Sequence, residues 1–239
     1  MTKQQLDTCR VFSTMEDALK APELVFVLDL SGNELKSLPE GISDLKNLQR
    51  LNLANNNISD LPESLFELVN LQELNLEENK LNNLPEDFGH LVNLLKLNLT
   101  RTKIPALPSS FLNLKKLEWL NLSWNDLNSG SIAIVYRLTR LKSLNLKRNR
   151  IDRIDPDIKL LSGLQYLNLN FNPLEELPEE IGDLNELKEL DLGKNSELKI
   201  LPNSFKKLIH LEYLNLEQVP LTEDEKSKLP EISPDAIDF

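Results

Sequence analysis

One stretch constrains this chain more than any other: residues 164–184, LQYLNLNFNPLEELPEEIGDL. Leucine or isoleucine falls at Leu164, Leu167, Leu169, Leu174, Leu177, Ile181 and Leu184, with Asn172 in the middle and Pro178 after Leu177. The same template recurs up and down the chain at a step of 23 or 24 residues. A unit of that length buries its apolar face only against copies of itself, so the repeat predicts a stack, a solenoid.

The spacing has a physical reading. In LxxLxL the last positions alternate, so Leu167 and Leu169 point one way while Tyr166, Asn168 and Asn170 point the other. That predicts a short strand with one face buried. The chain must then turn back, and a buried turn strands peptide groups without partners. Asn172 can satisfy them because its amide both donates and accepts. Stacked repeats therefore predict a ladder built from Asn33, Asn56, Asn79, Asn125, Asn149, Asn172 and Asn195, with Thr102 substituting in repeat four and weakening it locally. The segment LxxLPxxIxxL returns on the outer side, where Pro178 favours an irregular or short helical start.

These residues resemble the leucine-rich repeat pattern almost position for position, from about Val25 to Leu221. The LP-containing units are similar to bacterial repeat proteins, such as those of pathogenic spirochaetes, and to intracellular Ras-binding and scaffold repeat proteins. The resemblance implies an α/β leucine-rich repeat solenoid, a curved horseshoe or right-handed superhelix. Its parallel β-sheet would line the concave face, with short helices or irregular returns on the convex face. It also implies a binding module, and it names no partner.

Three regions are expected. Residues 1–24 would be an N-terminal helical cap. Ser13 with Glu16 fits a capping box, and Thr14 with Asp17 offers the same box offset by one. Met15, Ala18 and Leu19 would cover the open edge of the first strand. Residues 25–221 would be the repeat domain, with eight full repeats and a partial ninth. Within repeat five, NSGSIAIVYRLTR has no LP and carries one extra residue; Ile132, Val135 and Leu138 predict a longer outer helix. In repeat six Asp155-Pro156 stands where LP would be. Residues 222–239 would be a C-terminal helical cap and tail, opened by a Thr222/Glu225 capping box and ending in a loosely held EISPDAIDF.

Composition narrows the function. The net charge of -11 disfavours nucleic acid and anionic membrane surfaces as main partners. The single cysteine, Cys9, rules out a disulfide within the chain and favours a reducing compartment, or a secreted bacterial protein that needs none. No apolar run of signal-peptide or transmembrane length is present, so the expected location is cytoplasmic, or secreted from a bacterium without a visible signal peptide. His90, His210 and Cys9 sit in different units of the stack, so no metal site or Cys–His pair can be assembled, and no catalytic residue or cofactor is expected.

Strand residues facing away from the core form columns. The middle column is nearly all Asn or Asp and reads as scaffold. The flanking columns vary. One contains Lys96, Trp119, Tyr166 and Tyr213; the other, just past each strand, reads Arg101, Trp124, Arg148, Phe171, Lys194. With strands about 4.8 Å apart, the second would alternate cation and ring. Either the row satisfies itself by cation–π contacts of about 0.5–1 kcal/mol each, or it is a protein-binding hot spot, since Trp, Tyr and Arg are enriched there. The binding reading selects Lys96, Arg101, Trp119, Trp124, Arg148, Tyr166 and Phe171, and a partner with an acidic or mixed patch. The expected protein is thus a non-enzymatic protein–protein interaction module, monomer or weak dimer. It could serve bacterial host interaction or virulence; the alternative is an accessory subunit that recruits or inhibits an enzyme.

Overall fold

The computed structural model describes residues 3–239, and its contacts divide the chain into two compact units between Leu117 and Glu118. In the first unit α1 (Lys3–Asp7), β1 (Val11–Phe12) and α2 (Met15–Leu19) precede four strands: β2 (Val27–Asp29), β3 (Arg50–Asn52), β4 (Glu73–Asn75) and β5 (Lys96–Asn98). Each pairs in parallel with the next, with Leu28, Leu51, Leu74 and Leu97 in register. The second unit contains β6 (Trp119–Asn121), β7 (Ser143–Asn145), β8 (Tyr166–Asn168), β9 (Glu189–Asp191), β10 (Tyr213–Asn215) and β11 (Ile237–Asp238), again parallel in chain order. The register leucines are buried, as are those that follow at Leu53, Leu76, Leu99, Leu122, Leu146, Leu169 and Leu192. Each buried leucine contributes about 1.5–3 kcal/mol.

The returns are single turns, as the LP motif predicts. Pro85, Pro108, Pro178 and Pro202 sit just before 3₁₀ turns at Glu86–His90, Ser109–Asn113, Glu179–Asp183 and Asn203–Lys207, in extended conformations with ψ of 151–159°. Pro62 opens α3 (Glu63–Phe66) the same way. In repeat six the roles shift by one. Asp155 is the cap, accepting a hydrogen bond from the Asp157 N–H at 2.8 Å, and Pro156 fills the first helical position, where its missing N–H costs nothing. Repeat five does not form a longer helix. Its turn, Ala133–Arg137, is a five-residue 3₁₀ turn like its neighbours, and Ile132, Val135 and Leu138 are all buried. The extra residue is absorbed earlier, in a turn where Ser131 N–H donates to Asn128 Oδ1 and Asn128 N–H donates to Ser131 Oγ.

The ladder begins one repeat later than expected. Asn33 is exposed, and its amide donates only to Ser31 O at 3.3 Å. Asn56, Asn79, Asn149, Asn172 and Asn195 each serve their own turn and the preceding repeat. Asn172 Nδ2 donates to Leu169 O and, one repeat back, to Leu146 O, both at 3.0 Å. Its Oδ1 accepts from the N–H groups of Asn149 and Ile151, each at 3.2 Å. Thr102 supplies a hydroxyl that donates to Leu99 O at 2.8 Å.

Both ends close with backbone as well as helix. Thr14, not Ser13, caps α2, accepting from Asp17 N–H. Of the three residues expected to cover the edge only Ala18 is buried. The edge of β2 is covered instead by β1, with Phe12 paired to Leu28 and buried. At the other end Thr222 caps α4 (Glu223–Lys226) by accepting from Glu225 N–H, as expected. The Glu225 carboxylate accepts from Leu201 N–H at 2.7 Å and from Lys228. The last residues are not loosely held: β11 pairs with β10, and Leu216 N–H donates to Asp238 O at 2.6 Å.

Candidate functional site

The outward residues of these short strands are mostly half-buried, and the turn after each strand adds one more position to the same face. At Asn55, Glu78, Arg101, Trp124, Arg148, Phe171, Lys194 and Gln218 the backbone is left-handed, with φ between 52° and 62°; Gly32 takes the same place in repeat one. These N–H groups continue the parallel hydrogen bonding past the strands: Trp124 N–H donates to Lys147 O, Arg148 N–H to Asn170 O, and Phe171 N–H to Gly193 O. The column is therefore held rigidly whatever side chain it carries. Glycine and asparagine enter this conformation readily, whereas a bulky ring there is uncommon.

In the second unit the column brings three of the selected residues together. The Arg148 guanidinium carbon lies 4.0 Å from the Trp124 ring centroid and 4.6 Å from that of Phe171. Trp124 is 36% exposed and Phe171 45%. Among the described residues no carboxylate pairs with Arg148. Tyr166, on β8, is 40% exposed, and Trp119, on β6, is half-buried. The expected alternation stops there: Lys194 is turned to Glu217 at 3.8 Å, and nearby Arg150 is held by Asp126 at 2.6 Å.

Lys96 and Arg101 belong to the first unit, where carboxylates neutralise them. Arg101 pairs with Glu78. Lys96 shares Glu73 with Arg50, at 2.9 and 2.6 Å, and Arg50 also reaches Asp7 at 2.6 Å. Sequence reasoning missed these pairings although they carry a signal: Arg50–Glu73, Glu73–Lys96, Glu78–Arg101 and Lys194–Glu217 are opposite charges one period apart. Burial alone would raise the Glu73 pKa, but the hydrogen bonds from Arg50 and Lys96 outweigh it and hold the carboxyl below its ordinary value. A depressed carboxyl contributes stability above its unfolded value and loses it as pH falls through the folded one. Glu73→Gln is expected to lower stability by about 1–2 kcal/mol at pH 7, with the difference shrinking below pH 4.5; thermal melts across that range measure it.

Among the described residues no group of three or more His, Cys, Asp or Glu could hold a metal ion, and no helix is long and apolar enough to cross a membrane. The strand face thus offers rings, one stacked guanidinium and a row of amides, the means for recognition.

A period of 23 or 24 residues, parallel strands, asparagine-capped turns and short returns define a repeat solenoid. The chain belongs to the leucine-rich repeat family: the family model matches residues 5–58, 22–81, 46–104, 70–127 and 162–221. The interval between the last two matches, 128–161, covers the return of repeat five and most of repeat six, where LP is missing. No curated protein sequence matches the chain. Among solved structures, a leucine-rich repeat protein of Leptospira interrogans aligns at 23% identity and a TM-score of 0.52, covering 96% of this chain and 100% of that one. The repeat domain of the type III effector XopL aligns at 25% identity and 0.77, covering 90% and 77%. A TDR receptor aligns at 29% and 0.74, covering 83% of this chain but spanning only 36% of the receptor. Repeat proteins of this family are generally non-enzymatic interaction scaffolds.

Proposed function

We propose that this protein is a non-enzymatic module that binds a partner protein on the strand-side face of its second unit, centred on Trp124, Arg148 and Phe171, with Trp119 and Tyr166 beside them. One observation carries the reading. The left-handed turn after each strand folds with Gly32 or Asn55 at little cost, yet two of these positions carry large exposed rings bracketing an arginine. Folding does not require those rings, and exposed rings carry a solubility cost. Trp and Arg are the residues on which protein interfaces concentrate their energy. The likeness to the repeat domain of a type III effector supports a host protein as partner. Lys96 and Arg101, already paired with Glu73 and Glu78, are peripheral in this reading.

The double variant Trp124→Ala, Arg148→Ala tests it as bait beside the native protein in a pull-down, with circular dichroism and melting as controls. We expect normal folding, a melting point within a few degrees of native, and loss of the proteins the native bait captures. Retention of those proteins by the folded variant would overturn the reading.

A further inference from the structure

Beside the stacked arginine, the second unit carries a different kind of receptor. Tyr166 of β8 and Tyr213 of β10 are both in register with Glu189 of the intervening β9. The three border an open hollow of about 260 Å³ that Asn168 and Asp191 also line. Two strand spacings put the tyrosine backbones roughly 10 Å apart, and side chains stand away from a sheet. A planar cation between two rings needs about 7 Å between them, about 3.5 Å of contact on each side. The Tyr213 ring is fixed from behind, because its hydroxyl donates to Asp238 of β11 at 2.7 Å.

The charges in the hollow are unevenly used. Asp191 already accepts from Asn168 Nδ2, Asn170 Nδ2 and Gly193 N–H at 2.9–3.1 Å, and Asp238 is engaged by Tyr213. Glu189 is exposed, and among the described residues no lysine or arginine pairs with it. Lys188, its chain neighbour, is drawn off to Glu212 at 2.9 Å. The hollow therefore presents two tyrosines and one carboxylate that, among the described residues, no lysine or arginine pairs with.

We infer that the Tyr166–Glu189–Tyr213 hollow receives a basic side chain of the partner protein, arginine by preference, stacked between the rings and hydrogen-bonded to the Glu189 carboxylate. It rests on the reading of this face as a protein-binding surface and adds the partner's chemistry. A guanidinium suits the gap because it is flat, stacks on aromatic faces and pairs with a carboxylate through two parallel N–H donors. The interface would be charge-mixed, with Arg148 as a donor on one side of the face and Glu189 as an acceptor on the other.

The chain has three tyrosines, and the third, Tyr136, is 1% exposed, so it serves as an internal reference. Protein labelled with ¹³C in the tyrosine rings is titrated with the tripeptide Gly-Arg-Gly, acetylated and amidated at its ends so that it brings no carboxylate. We expect the Tyr166 and Tyr213 signals, assigned from Tyr166→Phe and Tyr213→Phe, to shift and saturate while Tyr136 stays still. The citrulline analogue, equal in shape and uncharged, should shift neither. Glu189→Gln, an exposed change that leaves the fold intact, should raise the half-saturation point at least about fivefold, the loss of one charge-assisted hydrogen bond. Shifts that never saturate, that citrulline reproduces, or that Glu189→Gln leaves unchanged would overturn the inference. The Trp124→Ala, Arg148→Ala variant should titrate like the native protein, so the hollow and the central row stand or fall separately.

Discussion

Asn172→Ala should lower the stability of the chain by about 3–4 kcal/mol, a drop in melting temperature of roughly 10 °C. The residue is 5% exposed, and its amide is the partner of five backbone groups: Leu146 O, Leu169 O, Asn170 O, Asn149 N–H and Ile151 N–H. Alanine leaves those groups in an apolar interior, where each orphan costs about 1–3 kcal/mol less whatever a water recovers. Asn33→Ala is the matched control. It occupies the same place in the template, but it is exposed and its amide donates only to Ser31 O. Its expected change stays within about 0.5 kcal/mol. Urea denaturation of both variants measures the pair. Equal effects would mean that the asparagine acts through local turn preference and not through the neighbouring repeat.

Phe88→Ala is expected to cost about 3–5 kcal/mol by the same measurement. Phe88 is fully buried on the return side of the first unit. Its ring centroid lies 5.4 Å from that of Phe111, in a stacked arrangement, and 5.9 Å from that of Phe66. Removing it deletes the middle of a three-ring file that spans three successive repeats. The lining cannot collapse easily, because Gly89 next to it already lies tight against the following return: a Cβ there would meet Ser110 at 2.6 Å. Phe88→Leu, which keeps most of the volume, should cost about 1–1.5 kcal/mol. A loss below about 1 kcal/mol for the alanine variant would show that the returns are loosely packed.

Much of the fold is legible because the template repeats. The register of Leu144, Leu167, Leu190 and Leu214 can be read off the spacing, and so can the Pro178-type starts of the returns and the Thr222 cap. What escapes has a physical reason in each case. Val11–Phe12 and Ile237–Asp238 are strands of two residues, too short to show any alternation, and their pairing is decided by the open edges they meet. The helical spacing of Ile132, Val135 and Leu138 marks burial, but the extra residue went into the Asn128–Ser131 turn and left the helix unextended. The left-handed column shows a sequence signal only at Gly32 and Asn55; Trp124 and Phe171 are poor candidates for positive φ and adopt it because the stack dictates it. In the candidate site, the Trp124–Arg148–Phe171 contact follows from the column. The neutralisation of Lys96, Arg101 and Lys194 required looking one full period away for the opposite charge. The placing of Glu189 between Tyr166 and Tyr213, by contrast, is legible in the flanking column itself.

The ladder gives the stack a direction. Asn56, Asn79, Asn149, Asn172 and Asn195 each reach backwards, to the carbonyl of the preceding strand or the N–H groups of the preceding turn. A chain leaves the ribosome N-terminus first, so each repeat is finished by a residue translated some 23 positions after it. At any moment of synthesis the newest repeat has its strand pairing and its hydrophobic contacts but lacks the next asparagine, while the one behind it is sealed. A stalled or truncated chain is therefore left with a single unsealed repeat at its growing end, and that end is where a chaperone or a protease gains its hold.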